Sequence, residues 1–157
     1  MAQLAVKEPV VVAPVSHRFA LADLSTAGRW LVPRLCDELK LAEGYIGAWL
    51  RNYVESNEHL FLAAPAQDIA MVMLAERRST IGLVQGTAVH EMFVLVADLE
   101  DRRLLAQAAF FYDDMARWAR GLDCKVVEVE NLTDVPHEAI AARLGRMFTK
   151  QQVFARV

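Results

Sequence analysis

Only a few places in this sequence carry residues that could do chemistry. Glu91 and His90 stand side by side at the entrance to the apolar run Met92 to Val96 (MFVLV). A carboxylate and an imidazole are the usual proton acceptors in catalysis, so Glu91 is the candidate general base and His90 its reserve. In a strand the two point to opposite faces, so one site can use only one of them. The competing reading of Glu91 is a solvated carboxylate at a strand end. The second place is Arg102-Arg103-Leu104-Leu105-Ala106-Gln107-Ala108, at the start of a helical pattern. Successive backbone N–H groups at a helix N-terminus, reinforced by the helix dipole, can hold a phosphate-like anion. Three acids, Asp98, Glu100 and Asp101, stand beside Arg102 and Arg103, so the local formal charge is −3 + 2 = −1. Acids in a first helical turn also have a plain role in stabilising the dipole.

Other chemistries lack their residues. His17, His59 and His137 show no metal-ligand spacing, and no Ser/His/Asp arrangement is found. Cys36 and Cys124 are far apart, without a neighbouring Cys or His, and read as buried small hydrophobes of a reducing compartment. Tyr45, Trp49 and Tyr53 lie on one helical stripe, which is either core or the wall of a pocket. Tyr112, inside the longest helical pattern, is expected to point into the core.

The elements that must position these residues follow from periodicity. Residues 1 to 15 form an extended arm, because Pro9 and Pro14 bracket Val10, Val11 and Val12. Arg18 to Leu24 predicts a first strand running into a turn, with Ser25 as N-cap of a helix carrying Trp30, Leu31, Leu35 and Leu39. Pro33 breaks that helix or opens a second turn of it. Tyr45, Ile46, Trp49, Leu50, Tyr53 and Val54 repeat with a helical period and define a second helix. Strands are predicted at His59 to Ala64 and Ile69 to Ala75, separated by the turn Pro65 to Asp68, then a polar loop from Glu76 to Ala88. Met92 to Val96 reads as a strand covered on both faces. A single long helix from Glu100 to about Arg120 follows, stopped by Gly121. Lys125 to Glu130 alternates as a strand, Pro136 to Leu144 is a short helix with Asp134 as its cap and Gly145 as its terminator, and Met147 to Val157 is a last strand.

Composition bounds the rest. The 157 residues carry 17 Lys plus Arg against 20 Asp plus Glu, a formal net charge of −3, with 55% apolar residues. A chain of this length builds one domain burying roughly two thirds of its unfolded surface. The apolar share excludes disorder over most of the chain, and the acidic balance gives no electrostatic footprint for nucleic acid. No apolar run approaches the ~18 to 20 residues that cross a bilayer, and the Pro9 to Val15 stretch lacks a positively charged start, so neither a membrane span nor a signal peptide is expected. The expectation is a soluble, cytoplasmic protein of 16–157 as one domain behind the arm.

The order β, α, α, β, β, β, α, β, α, β predicts one mixed sheet with helices on both faces. It resembles the GNAT superfamily, the GCN5-related N-acetyltransferases. RFALADLSTAGRWLVPRL is similar to that family's opening strand, Asp-ending turn and first helix. The segment from Arg103 to Ala108 matches its [Q/R]-x-x-G-x-[G/A] signature, with Ala106 where a glycine is usual, and Arg143-Leu144-Gly145-Arg146 looks like its closing phrase. The resemblance implies an α/β fold with a mixed, mostly antiparallel central sheet of about six strands. It also implies acetyl-CoA lying in a splay between the fourth and fifth strands. Its pantetheine would pair with the backbone near Leu95 and Val96, and its pyrophosphate would sit on the N–H groups of Arg102, Arg103, Leu104, Ala106, Gln107 and Ala108. Glu91 would be the base toward an amine acceptor, small molecule or protein. A family Asn near the cofactor arm corresponds to Asn131 when counted from the strand and to Asp134 when counted back from Gly145. The family's tyrosine acid falls on Ala141, which leaves the reaction without an acid.

Two functions remain open on these residues. One is an acetyl-CoA-dependent N-acetyltransferase. The other is a GNAT-like fold without the chemistry, serving as a structural or interaction module in the manner of some phage virion-associated proteins, with the arm docking on a neighbour or a second copy.

Overall fold

Alternation along the central strands divides the interior into two cores, one on each face of a single sheet. The computed structural model describes residues 14–80, 86–124, 126–129, 132–145 and 153–155. Its elements are β1 (His17–Arg18), α1 (Leu21–Leu39), α2 (Glu43–Glu55), β2 (His59–Ala64), β3 (Met71–Thr80), β4 (Gly86–Val96), α3 (Arg102–Ala108), α4 (Phe111–Gly121), β5 (Val126–Val129), α5 (His137–Leu144) and β6 (Val153–Ala155). The six strands lie in chain order in one mixed sheet. The three pairings from β1 to β4 are antiparallel, and β4–β5 and β5–β6 are parallel.

Odd and even positions separate cleanly, as a period of two requires. Leu60, Leu62, Met71, Met73, Val94 and Val96 face α3, α4 and α5, where they meet Phe111, Tyr112, Met115 and Ile140. Phe61, Val72, Leu74, Phe93 and Leu95 face α1 and α2, where they meet Leu31, Leu35, Ile46 and Leu50. Phe19 stacks on Phe61 with ring centroids 4.1 Å apart, closing the second core beside β1. The run Met92 to Val96 is therefore covered on both faces, as its continuous apolar character predicts.

Several local expectations are corrected. The opening strand is only two residues long, and the helix starts at Leu21, so Ser25 lies inside it and donates to the carbonyl of Ala22. The helix start is held by Asp23, whose carboxylate accepts the Ala20 N–H at 2.7 Å. Pro33 does not break α1, which runs through it. Burial of Leu31, Val32 and Leu35 on the same helix, at about 1.5–3 kcal/mol for each large side chain, offsets what the proline costs. The polar loop from Glu76 to Ala88 is mostly strand, since β3 continues to Thr80 and β4 begins at Gly86; 81–85 lie outside the described residues. Its charges are used across the sheet: Glu76 pairs with Arg78 and faces His59, and Arg78 also reaches Glu128 at 3.9 Å.

The long helix is two helices. At the junction the N–H groups of Phe110, Tyr112 and Asp113 donate to carbonyls three residues back, a tightening that ends α3 and rotates the start of α4. It turns Ala108, Ala109, Phe111 and Tyr112 into the core, while Phe110 lies under the Arg143 guanidinium, 3.6 Å from the ring centroid. α5 has Pro136 at its cap position with no side-chain cap, so Asp134 does not serve there. Gly145 ends it in a close approach: a Cβ would stand 2.7 Å from the Ala141 carbonyl oxygen. Most of the last-strand segment and residues 1–13 of the arm lie outside the described residues. Among the described residues, no helix is long and apolar enough to cross a membrane.

Candidate functional site

The site is built around one irregularity in β4. Leu74 pairs with Phe93 and Ala75 with Glu91, so Met92 is an extra residue without a partner on β3, a β-bulge. The bulge shifts the alternation by one. Val89 and Glu91 before it and Val94 and Val96 after it consequently share the face toward α4, and His90 takes the other face. It also bends the strand. Among the described residues, regular pairing with β5 runs from Ala88–Val126 to Glu91–Val129, and the lane beside β4 past Glu91 is taken up by residues 132–134.

This lane is filled by the chain itself. The Val94 N–H donates to the Leu132 carbonyl at 3.2 Å, and the Val94 carbonyl accepts from the Asp134 N–H at 2.9 Å. The two bonds make an isolated parallel bridge between Val94 and Thr133. Val96 donates its N–H to Asp134 Oδ2 at 2.8 Å, and its carbonyl accepts from Arg34 Nη1 at 3.0 Å. Both Arg34 nitrogens also bond the two oxygens of Asp134, a bidentate pair brought from α1. On the opposite face, Tyr112 OH lies 2.7 Å from Thr133 Oγ1 and donates to Glu91 Oε1 at 3.4 Å. Residues 132–134 are thus fixed by β4 along one side and by α1 and α4 from the two helical layers.

Glu91 has no exposed surface. A base must come within hydrogen-bond reach of the proton it removes, and here Tyr112 and the surrounding core seal it. Burial first, and the adjacent Glu91 carboxylate second, hold the Tyr112 phenol well above its ordinary value near 10. It therefore stays a neutral donor. His90 is on the far face, also buried, bonded to Glu128.

The helix-start site is likewise occupied. Asp101 is the N-cap of α3, and its carboxylate accepts from the N–H groups of Arg103 at 2.9 Å and Leu104 at 3.2 Å. The Leu105 N–H goes to the Asp101 carbonyl. A side-chain carboxylate stands where a phosphate would be cradled. Ala106, Gln107 and Ala108 continue within α3, with Ala108 buried, and Arg102 and Arg103 are exposed. Of the backbone positions expected to meet pantetheine, Leu95 pairs toward β3 opposite Val72, and Val96 is engaged by Asp134 and Arg34. Asn131 lies outside the described residues. Where the resemblance places acetyl-CoA, the outward groups of Val94 and Val96 and the first N–H groups of α3 are engaged by the chain's own groups.

The remaining expected residues are placed as follows. Trp49 donates to Tyr53 OH at 2.7 Å, and Tyr53 packs on the His59 ring at 4.1 Å between centroids, while Tyr45 is exposed. Trp49 and Tyr53 pack against the α1/α2 core. Ala141 is exposed, and Arg143 bonds Asp113 at 2.8 Å, tying α5 to α4. Cys36 and Cys124 lie on opposite faces of the sheet and form no disulfide with each other. Arg34 and Thr133 are the residues that sequence reading missed. The count back from Gly145 does land on Asp134, the one signal pointing to this segment.

A mixed sheet in this strand order, with a bulge in β4 ahead of helices α3 and α4 and helices on both faces, is a GNAT-like fold. Solved structures agree. An aminoglycoside 6'-N-acetyltransferase of Acinetobacter haemolyticus superposes with a TM-score of 0.60 at 15% identity, covering 90% of this chain and 94% of that one. An acetyltransferase from Vibrio fischeri gives 0.57 at 14% identity over 78% of this chain and 98% of that one. A GNAT family acetyltransferase of Staphylococcus aureus gives 0.56 at 11% identity over 75% and 86%. No protein-family model and no curated protein matches the sequence.

Proposed function

We propose that this chain is a GNAT-fold domain that serves as a structural or interaction module and does not transfer acetyl groups. The observation that carries the reading is the closed lane: Val94 and Val96, whose outward backbone groups would meet an extended ligand, are bonded to residues 132–134 and Arg34. The Asp101 cap, the alanine at position 141 and the sealed Glu91 point the same way. Isothermal titration calorimetry with acetyl-CoA is the test. No saturable heat at millimolar ligand is the expected result, and stoichiometric binding at micromolar concentration overturns the proposal.

The competing reading, acetyl transfer to an amine, is favoured by one observation. The bulge turns Glu91 onto the same face as Tyr112, within 3.4 Å, and so pairs a carboxylate with a phenol beside the lane. That reading requires residues 132–134 to leave the lane and Glu91 to become accessible. Measurable binding in the same titration, followed by acetylation of an amine that fails in Glu91→Gln, is its signature.

A further inference from the structure

We propose that this chain self-associates head to tail, the turn Asp98-Leu99-Glu100-Asp101 of one copy docking in the groove between α1 and α2 of the next. The groove is open and about 490 Å³ in volume, with Leu24, Val32 and three glycines in its lining. Gly28 on α1 and Gly44 and Gly47 on α2 do not serve close helix packing, because a Cβ at any of them would meet nothing within 4 Å. Their effect is to leave a channel where side chains would otherwise stand. Arg29 and Arg51 rim it, and neither forms an ion pair among the described residues. Glu43 is the one acid in the lining, so the groove carries 2 − 1 = +1.

The turn has the complementary character. Leu99 is 54% exposed, and all three flanking acids are exposed too. The turn is also held in shape by its own carboxylates: Asp98 accepts the Glu100 N–H at 3.0 Å, and Asp101 caps α3. An apolar tip between carboxylates therefore meets an apolar channel between guanidinium groups, with little ordering required of either. Charge complementarity of this kind sets partner and register. Because groove and turn are different surfaces of the same chain, the contact is heterologous and builds rings or open chains. The inference stands apart from the closed lane, which calorimetry tests separately.

The test is sedimentation velocity of the full chain over a range of concentrations at low and high salt. The wild type is expected to self-associate, more weakly as salt rises. Arg29→Glu with Arg51→Glu, and separately Asp98→Lys with Glu100→Lys, are each expected to weaken association by on the order of tenfold or more. Mixing the two variants restores it, since the acidic groove of one then meets the basic turn of the other and the native pairing is kept in the opposite direction. Leu99→Ser weakens association without changing any charge. A wild type that stays monomeric overturns the inference. So does association that survives both charge reversals, or a mixture that stays monomeric while each variant keeps its native circular dichroism.

Discussion

Asp134→Ala is the perturbation that tests most directly whether Arg34 and Asp134 hold the lane closed. Asp134 is 6% exposed and Arg34 20%, and the carboxylate accepts from both the guanidinium and the Val96 N–H. Removing one partner of a buried pair costs about 3–5 kcal/mol, because the other charge is left without compensation. Arg34 keeps some contact with water, so the lower end applies, about 3 kcal/mol. For a chain of this size that lowers Tm by roughly 6–12 °C. Thermal unfolding followed by circular dichroism measures it. Arg34→Met with Asp134→Ala is expected to cost no more than Asp134→Ala alone, since the two residues act through one another. Hydrogen exchange adds a local readout: the Val96 amide, protected in the wild type, exchanges faster in Asp134→Ala while the amides of β2 and β3 do not. A loss under about 1 kcal/mol, or losses that add in the double variant, refutes the claim that this pair holds the lane.

Two further predictions concern the other ties. Tyr112→Phe removes the hydroxyl between Thr133 and the buried Glu91 and is expected to cost about 1–3 kcal/mol, read from the urea midpoint. Because the folded protein holds the Tyr112 proton above the ordinary value near 10, the native state binds more protons than the unfolded chain above that pH. Stability is then fully present below pH 10 and falls by up to about 1.4 kcal/mol per pH unit as the folded value is approached. Tyr112→Phe flattens that alkaline limb, and an unchanged slope between pH 9.5 and 11.5 refutes the assignment. Asp101→Ala uncaps α3, with an expected loss of about 1 kcal/mol in the same urea assay, and a loss within 0.3 kcal/mol refutes the cap, on the ordinary scale of such replacements.

The parts of the fold that were legible in sequence are those whose determinants are local. α2, β2 and the apolar half of β4 follow from period and run length, and the order of elements already resembled the fold found. What sequence reading missed depends on distant partners. The β3–β4 extension carries Glu76, Arg77 and Arg78, which look like loop until His59 and Glu128 are seen across the sheet. The break at Ala109–Phe110 has no glycine or proline to announce it. The bulge residue, Met92, is the first of an apolar run and carries no local mark. Glu91 reads in the sequence as a candidate base or a solvated strand-end carboxylate, and nothing local shows that it is fully buried with Tyr112, twenty-one positions on, against it. Arg34 and Asp134, the pair that holds the lane, are 100 positions apart.

Backbone accounting explains why the closed lane, the capped helix and the sealed carboxylate occur together. A strand that parts from its neighbour leaves its outward N–H and C=O groups needing partners, and buried backbone groups are almost never left without them. In an open lane, water or a ligand must supply those partners. Here Val94 and Val96 are both buried, at 0% and 1% exposure, and their partners are the backbone of 132–134, the Asp134 carboxylate and the Arg34 guanidinium. The same logic holds at α3, where Asp101 takes the N–H groups that an anion would otherwise satisfy. On the reading proposed above, each of these contacts is one with which a ligand would have to compete. Glu91 accepts from the Tyr112 hydroxyl, which also meets Thr133, so the three side chains connect β4, α4 and the segment at 132–134. The residue that looked most catalytic in the sequence is thereby linked, through the Tyr112 hydroxyl, to the segment that pairs with Val94.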